Sequence, residues 1–265
     1  MAAVEPPDLY YELHLPQKVF DRTLLSRPQL ETVAYACQSH ESFLANEQRR
    51  GFFLGDGAGV GKGRQLAGIV YENWLCGRKK HIWLSASADL QYDAQRDLKD
   101  IGAGQITCVL VNKLDNKRDI TIREGILFLT YSALVSGSKS GRSRMDQLIK
   151  WCGKEAFEGC ILFDECHRAK NLVTVGKQKS TKSGAAVAHL QEVLPRARIV
   201  YSSATGASEP LNMAYMTRLG LWGGPDTPFP EGFDVFKTAM LSSGVGMMEL
   251  VAVSGKTYWL SHLIV

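Results

Sequence analysis

Residues 51–64 read GFFLGDGAGVGKGR and join a short apolar run to a glycine-rich segment. The run 51–54 has the composition of a buried strand, and the glycines after it cannot form regular structure. Residues 62–75 then have helical composition, which ends just before Gly77. Glycine frees backbone N–H groups to converge on one concavity, and the N-terminus of a helix adds partial positive charge. This order predicts a loop that binds the phosphates of a nucleoside triphosphate.

The loop matches the phosphate-binding motif G-x-x-x-x-G-K-[ST] at most positions. Lys62 stands at the helix start, where its ammonium group can reach the terminal phosphates; a glycine-rich turn without ligand is the weaker alternative. Asp56 replaces the first glycine, and Gly63 replaces the hydroxyl residue that normally coordinates magnesium. A water molecule can replace that hydroxyl, so we expect nucleotide binding to survive while hydrolysis is weakened. The predicted nucleotide-binding residues of the loop are Gly57, Gly59, Gly61, Lys62 and Gly63.

Short apolar runs alternate with amphipathic segments along the rest of the chain. The further runs are 82–84, 107–111, 126–129, 161–163 and 199–201, and the other predicted helices are 28–39, 89–101, 144–151 and 184–194. Nearly continuous apolar runs suit parallel strands that helices cover on both faces. The pattern predicts a doubly wound α/β domain, in which ligands bind beyond the carboxyl ends of the strands.

Two carboxylates follow the run 161–163, in the sequence Asp164-Glu165-Cys166-His167. In a P-loop enzyme, a carboxylate at this position holds the magnesium ion, and an adjacent glutamate orients or deprotonates the attacking water. We therefore predict that Asp164 is the metal ligand and that Lys62, Asp164 and Glu165 are catalytic. Two surface acids at a strand end are the alternative, which the position of the pair after a phosphate loop disfavours.

Three polar residues elsewhere are weaker candidates. Ser203 and Thr205 follow the run 199–201, where hydroxyl groups can hydrogen-bond the neighbouring acidic loop. Packing of small residues explains the same letters equally well. Gln29 precedes Lys62 by 33 residues and could offer its amide to the edge of an adenine base, although by itself it is an ordinary helix residue.

Composition limits the class of protein and its partners. The 265 residues are 45% hydrophobic and 22% charged, which is typical of a globular protein. No apolar run approaches the roughly 20 residues that cross a bilayer, and the N-terminus lacks the features of a signal peptide, so no membrane association is expected. The net charge is only +4, but residues 168–198 contain seven Lys or Arg and one Glu. That basic stretch is either a solvated loop or part of a nucleic-acid face.

Together these residues resemble the first RecA-like lobe of superfamily 2 DExH-box helicases. Gln29 is similar to the Q-type motif, and the segments similar to motifs I, Ia, Ib, II and III are 57–62, 84–90, 130–134, 164–167 and 203–205. The strings GDGAGVGKGR, YDAQRDLKDIGA, FDECHRAKNL and SATGASEPLNMAYMTRLGLWG resemble the strawberry notch proteins, nuclear regulators of transcription. This family also has the glycine found at Gly63, so that departure is a family feature.

The resemblance implies a helicase-like protein that uses ATP and Mg²⁺, is nuclear and regulates transcription. The implied partners are nucleic acid or chromatin, and transcription factors or other nuclear proteins. The residues that would couple the nucleotide to the nucleic-acid face are His167, Ser203 and Thr205. The implied organisation is an N-terminal extension at 1–24, a RecA-like ATP-binding domain at 25–250 and a divergent tail at 251–265.

Two functions stay open at this point. The first is a helicase-like ATPase, which the retained Lys62 and Asp164-Glu165 favour; the second is a transcriptional coregulator scaffold that does not hydrolyse ATP, which Gly63 favours. The sequence contains no counterpart of the arginine finger of the family's second lobe, and such an arginine contributes roughly 10³ to 10⁵ in rate. We therefore expect slow hydrolysis, or none, from this chain alone. The sequences DECH and SAT disfavour a P-loop kinase or GTPase.

Overall fold

A single parallel sheet organises the chain. The computed structural model describes residues 7–55, 59–115, 118–137, 143–166, 182–203 and 213–243. The strands are β1 (Phe52–Leu54), β2 (Lys80–Ser85), β3 (Cys108–Leu110), β4 (Gly125–Thr130), β5 (Cys160–Phe163) and β6 (Arg198–Ser202). They pair in the order β1-β6-β5-β2-β4-β3, and every pair is parallel.

Helices cover both faces of this sheet. They are α1 (Gln17–Asp21), α2 (Arg27–Ser39), α3 (Lys62–Leu75), α4 (Leu90–Asp100), α5 (Tyr131–Leu134), α6 (Arg144–Cys152), α7 (Lys182–Val193) and α8 (Phe233–Ser243). The core on one face joins apolar residues of α2, α3 and α4, and the core on the other joins those of α5, α6, α7 and α8. The predicted doubly wound α/β arrangement is therefore confirmed.

Each strand contributes to both cores because successive side chains point to opposite faces. Leu162 and Val200 pack with α3, whereas Ile161 and Ile199 pack with α7 on the other face. All residues of β5 and β6 are buried, which explains the apolar runs at 161–163 and 199–201 in the sequence. In the part of the chain described above, no helix combines the length and apolar character needed to span a bilayer.

The N-terminal segment packs against α2 and α3. The Gln38 side chain accepts hydrogen bonds from the backbone N–H groups of Tyr10 and Tyr11. The buried carboxylate of Glu72 accepts the N–H of His14 at 2.9 Å and the hydroxyl of Tyr11 at 3.0 Å. The extension predicted at 1–24 is thus held to the domain over its described residues. The tail predicted at 251–265 lies outside them.

A buried arginine joins the end of α7 to the segment that precedes β1. Arg218 is fully buried and donates to the carbonyl oxygens of Arg49, Gln191, Leu194 and Pro195 at 2.7–2.8 Å. Three of these carbonyls belong to the C-terminal end of α7 and its exit, which an arginine stabilises by hydrogen bonding. Arg218 therefore fixes the position of α7 relative to the strand that precedes the phosphate loop.

Candidate nucleotide-binding site

The candidate residues converge at the carboxyl edge of three neighbouring strands, β1, β6 and β5. The phosphate loop follows β1, Ser203 follows β6, and Asp164 and Glu165 follow β5. The backbone N–H of Ser203 donates to the carbonyl oxygen of Leu54 at 3.1 Å, which joins the end of β6 to the start of the loop. Ligands of open parallel sheets bind at this edge. Gly57, His167 and Thr205 lie outside the described residues.

The described part of the phosphate loop ends in a left-handed glycine that begins α3. Gly59 and Gly61 have φ values of 89° and 82°, which L side chains adopt only with strain. Gly61 is the N-cap residue of α3, and Lys62 is its first residue. A Cβ atom at Gly61 would lie 2.5 Å from Nε2 of Gln29. The backbone conformation therefore favours glycine at this position, and a side chain here would displace the amide of Gln29.

Gln29 holds this glycine turn from the side of α2. Its Nε2 donates to the carbonyl oxygen of Val60 at 3.2 Å, and its Oε1 accepts the N–H of Ser26 at 2.9 Å. The second bond is half of a capping box at the start of α2. The amide thus links a helix cap directly to the phosphate loop. Contact between Gln29 and an adenine edge stays a prediction.

Asp164 is held in a fixed orientation at the end of β5. Its Oδ2 accepts the hydroxyl of Ser85 at 3.0 Å, and its backbone N–H donates to Leu84 at 2.8 Å. Its Oδ1 accepts the N–H of Glu165 at 3.0 Å. Burial raises the pKa of Asp164, and the hydrogen bond from Ser85 opposes that rise. A cation beside this carboxylate would favour its ionised form.

Two buried tyrosines fix the backbone on either side of Glu165. Glu165 has a φ of 48°, in the left-handed region that residues with a side chain rarely adopt. The hydroxyl of Tyr131 donates to the carbonyl oxygen of Asp164 at 2.8 Å, and the hydroxyl of Tyr215 donates to that of Cys166. Strained backbone at functional sites persists when the surrounding structure over-determines it. The hydrogen bonds from the two tyrosines hold the strained backbone at Glu165 in this way.

The two tyrosines were not among the residues predicted from the sequence. Tyr131 belongs to segment 130–134, which resembles motif Ib, and follows β4 directly, so its position after a strand was an available signal. Tyr215 lies in an aromatic cluster with Phe163 and Tyr201, at ring-centroid distances of 6.4 Å and 6.0 Å. No local sequence pattern indicates that Tyr215 contacts Cys166.

The donor set suits a nucleotide with a magnesium ion. A glycine turn followed by a helix start and a lysine provides N–H groups and positive charge for phosphates. Asp164 provides the carboxylate oxygen that Mg²⁺ prefers, at the same edge of the sheet. Lys62, Gly63 and Asp164 are thus brought to one edge of the sheet, with Glu165 next to Asp164 in the chain.

A family model described as "P-loop containing NTP hydrolase pore-1" matches residues 1–258. The chain belongs to this family. As a member of the P-loop NTP hydrolases, it is also similar to the strawberry notch proteins, and the resemblance drawn from the sequence is confirmed. Protein strawberry notch of Drosophila melanogaster is 53% identical over 97% of this chain, and protein strawberry notch homolog 1 of Homo sapiens is 52% identical over 97%. Protein FORGETTER 1 of Arabidopsis thaliana is 50% identical over 97%.

These relatives are much longer than the chain. It covers 16% of the Drosophila protein, 19% of the human protein and 20% of the Arabidopsis protein. Among solved structures, the SWI2/SNF2 ATPase core of Sulfolobus solfataricus in complex with dsDNA has a TM-score of 0.58 at 16% identity. That match covers 97% of this chain and 46% of the other. The DUF1998 helicase MrfA bound to DNA has a TM-score of 0.57 at 14% identity, covering 82% of this chain and 30% of the other. The chain is therefore a P-loop domain with the predicted RecA-like fold, which it shares with these two solved structures.

Proposed function

We propose that this chain is the ATP-binding lobe of a helicase-like ATPase that acts on nucleic acid or chromatin. The observation that carries the proposal is the common position of three features at the edge formed by β1, β6 and β5. They are the glycine turn with Lys62, the partly buried Asp164 with its Ser85 hydrogen bond, and the strained Glu165. A scaffold protein has no physical need for a phosphate lysine at the same edge as an oriented carboxylate pair.

Each residue has a distinct task in this proposal. The ammonium group of Lys62 and the N–H groups at the start of α3 bind and orient the phosphates. Asp164 holds the magnesium ion, directly or through water, and the bound ion supplies neutralisation of phosphate charge. Glu165 orients the attacking water and accepts its proton. Gln29 keeps the glycine turn in its binding conformation through the bond to Val60.

The cellular part of the proposal is a nuclear role in regulating transcription. Support comes from identities of 50% or more to strawberry notch proteins across 97% of the chain. The proposed partners are DNA or chromatin and nuclear proteins such as transcription factors. Support for nucleic acid comes from the two structural neighbours whose titles name bound DNA. Because these neighbours are 16% and 14% identical to the chain, their similarity supports the fold, and the nucleic-acid partner is part of our proposal.

The proposal is tested by measuring the rate of ATP hydrolysis in a single turnover. The chain is in excess over ATP, and the rate is measured with and without double-stranded DNA. Single-turnover conditions are needed because the chain alone is expected to be slow. We expect DNA to raise the rate. Glu165→Gln should lower it by about 10² while retaining nucleotide affinity, because general bases contribute roughly 10²–10⁴. Glu155→Gln, an exposed glutamate in the turn 154–156, is the matched control and should leave the rate unchanged.

Two results would contradict the proposal. A Glu165→Gln rate equal to that of the wild type would exclude the assigned role of this residue. Absence of any DNA effect would remove the nucleic-acid partner from the proposal. The second candidate function is the coregulator scaffold, which the absence of a hydroxyl at Gly63 favours. Partner binding that is unchanged in Lys62→Ala, with no measurable nucleotide binding by the wild type, would establish that candidate instead.

A further inference from the structure

Gly63 is the point where the phosphate loop departs most from G-x-x-x-x-G-K-[ST], and the structure shows what fills the space there. An ideal Cβ atom at Gly63 would lie 2.1 Å from Oδ2 of Asp97 and 3.2 Å from its Cγ. A real Cβ atom does not tolerate such distances, so any side chain at position 63 would displace this carboxylate. The Asp97 carboxylate thus occupies the region into which a serine or threonine side chain would extend.

The surrounding contacts keep Asp97 at this position. It lies on α4, and its side chain is 15% exposed. One turn along, Arg64 of α3 pairs with Asp100 of α4 at 2.9 Å, which joins the two helices beside Gly63. Asp97 itself pairs at a longer distance, with its Oδ1 3.7 Å from the guanidinium of Arg96. This longer pairing leaves the carboxylate directed toward α3.

A carboxylate at this position has an electrostatic consequence for a phosphate site. Burial penalises the ionised form of Asp97 and raises its pKa, and the guanidinium groups of Arg96 and Arg64 oppose that rise. A negative carboxylate next to the second residue of α3 also repels a bound di- or triphosphate. A divalent cation between carboxylate and phosphate removes both penalties. Mg²⁺ is commonly held by one or two carboxylates together with waters and phosphate oxygens.

We propose that Asp97 takes the place of the missing hydroxyl at position 63 and holds Mg²⁺ on the bound nucleotide, directly or through one water. The inference rests on the proposed nucleotide function and adds a second carboxylate, from α4, to Asp164. It also explains the glycine: Gly63 is required because Asp97 uses the space of its side chain. The departure from the motif is then an exchange of ligands between two helices.

Binding of fluorescent N-methylanthraniloyl-ADP, in Mg²⁺ and in EDTA, tests this exchange without requiring hydrolysis. The measured quantity is the ratio of the two dissociation constants. We expect Asp97→Asn to reduce the Mg²⁺ effect by about tenfold or more, in line with the 10–100-fold typical of groups that support a metal site. Gly63→Ala should do the same, because its Cβ displaces the carboxylate. The double variant Gly63→Ser with Asp97→Ala should recover most of the Mg²⁺ effect.

The control is Asp93→Asn, one turn earlier on α4, where the aspartate is half-exposed and pairs with Arg96 at 2.7 Å. It should leave the ratio within about twofold of the wild type, and thermal unfolding of each variant checks that the fold is retained. A wild type with a strong Mg²⁺ effect that Asp97→Asn leaves unchanged would overturn the inference alone. A wild type without nucleotide binding in either condition would instead overturn the proposed function. Failure of the double variant to recover would show that Asp97 only stabilises the start of α3.

Discussion

Replacing Gln29 by glutamate removes one hydrogen-bond donor from the phosphate loop and retains the helix cap. A glutamate oxygen can still accept the N–H of Ser26, as glutamate does in a capping box. The donor to the carbonyl oxygen of Val60 is lost, together with the longer contact to Gly61 at 3.5 Å. A hydrogen bond of this kind contributes about 1 kcal/mol net. We therefore expect Gln29→Glu to weaken nucleotide binding by about fivefold, and further through repulsion between its carboxylate and the phosphates.

Titration with N-methylanthraniloyl-ADP measures this loss, and Gln95→Glu is the matched control. Gln95 also donates to a backbone carbonyl, that of Ile106, and accepts a backbone N–H, that of Cys108, and neither bond involves the described residues of the loop. The corresponding GDP probe separates the two roles considered for Gln29. Support of the loop predicts equal losses for both nucleotides, whereas contact with adenine predicts a loss for ADP alone. Unchanged affinity in Gln29→Glu would refute the loop-support argument.

The remaining predictions concern the fold around the site. Tyr131→Phe should lower the free energy of unfolding by about 1–2 kcal/mol, because it removes the hydrogen bond to the partly buried carbonyl of Asp164; equal stability in denaturant titration would contradict this. Arg218→Met removes the donors to four carbonyls and should cost about 4 kcal/mol, while exposed Arg123→Met should cost nearly nothing. Burial lowers the pKa of His40 and of His81 to about 3. Because the unfolded chain binds these protons near pH 6.5, stability should fall between pH 7 and pH 5 by about 2 kcal/mol for each histidine. His40→Gln should halve the combined loss of the two histidines, measured from denaturation curves at pH 7 and pH 5. An unchanged loss would contradict the assignment.

Sequence patterns recover the parts of the fold that local chemistry determines. Helix α3 begins at Lys62 and ends at Leu75, as predicted, because glycine and strand signals bound it on both sides. Run 107–111 is predicted too long, since β3 ends at Leu110 and a single helical turn follows. The prediction misses α1, α5 and α8. Helix α5 spans only four residues, and it starts where the Thr130 hydroxyl accepts the N–H of Ala133 at 3.2 Å.

Long-range contacts limit prediction of the site. The edge that joins Lys62 to Asp164 follows from the rule that parallel strands place their carboxyl ends together. The contact between Asp97 and Gly63 does not, because it depends on how two helices pack 34 residues apart in the chain. Tyr215 likewise reaches Cys166 across 49 residues. Motifs therefore identify the residues that face the ligand, whereas the packing around them identifies the residues that hold them in place.

Binding of magnesium-ATP to this chain, compared with Lys62→Ala, tests the central claim most directly. Lys99 is the matched control, since it is an exposed lysine at the end of α4. We predict saturable binding of a fluorescent ATP analogue by the wild type and by Lys99→Ala, with a loss of at least about tenfold in Lys62→Ala, because removing the lysine leaves the phosphates without its charge. Equal affinity in all three proteins would contradict the assignment of residues 59–63 as a phosphate site.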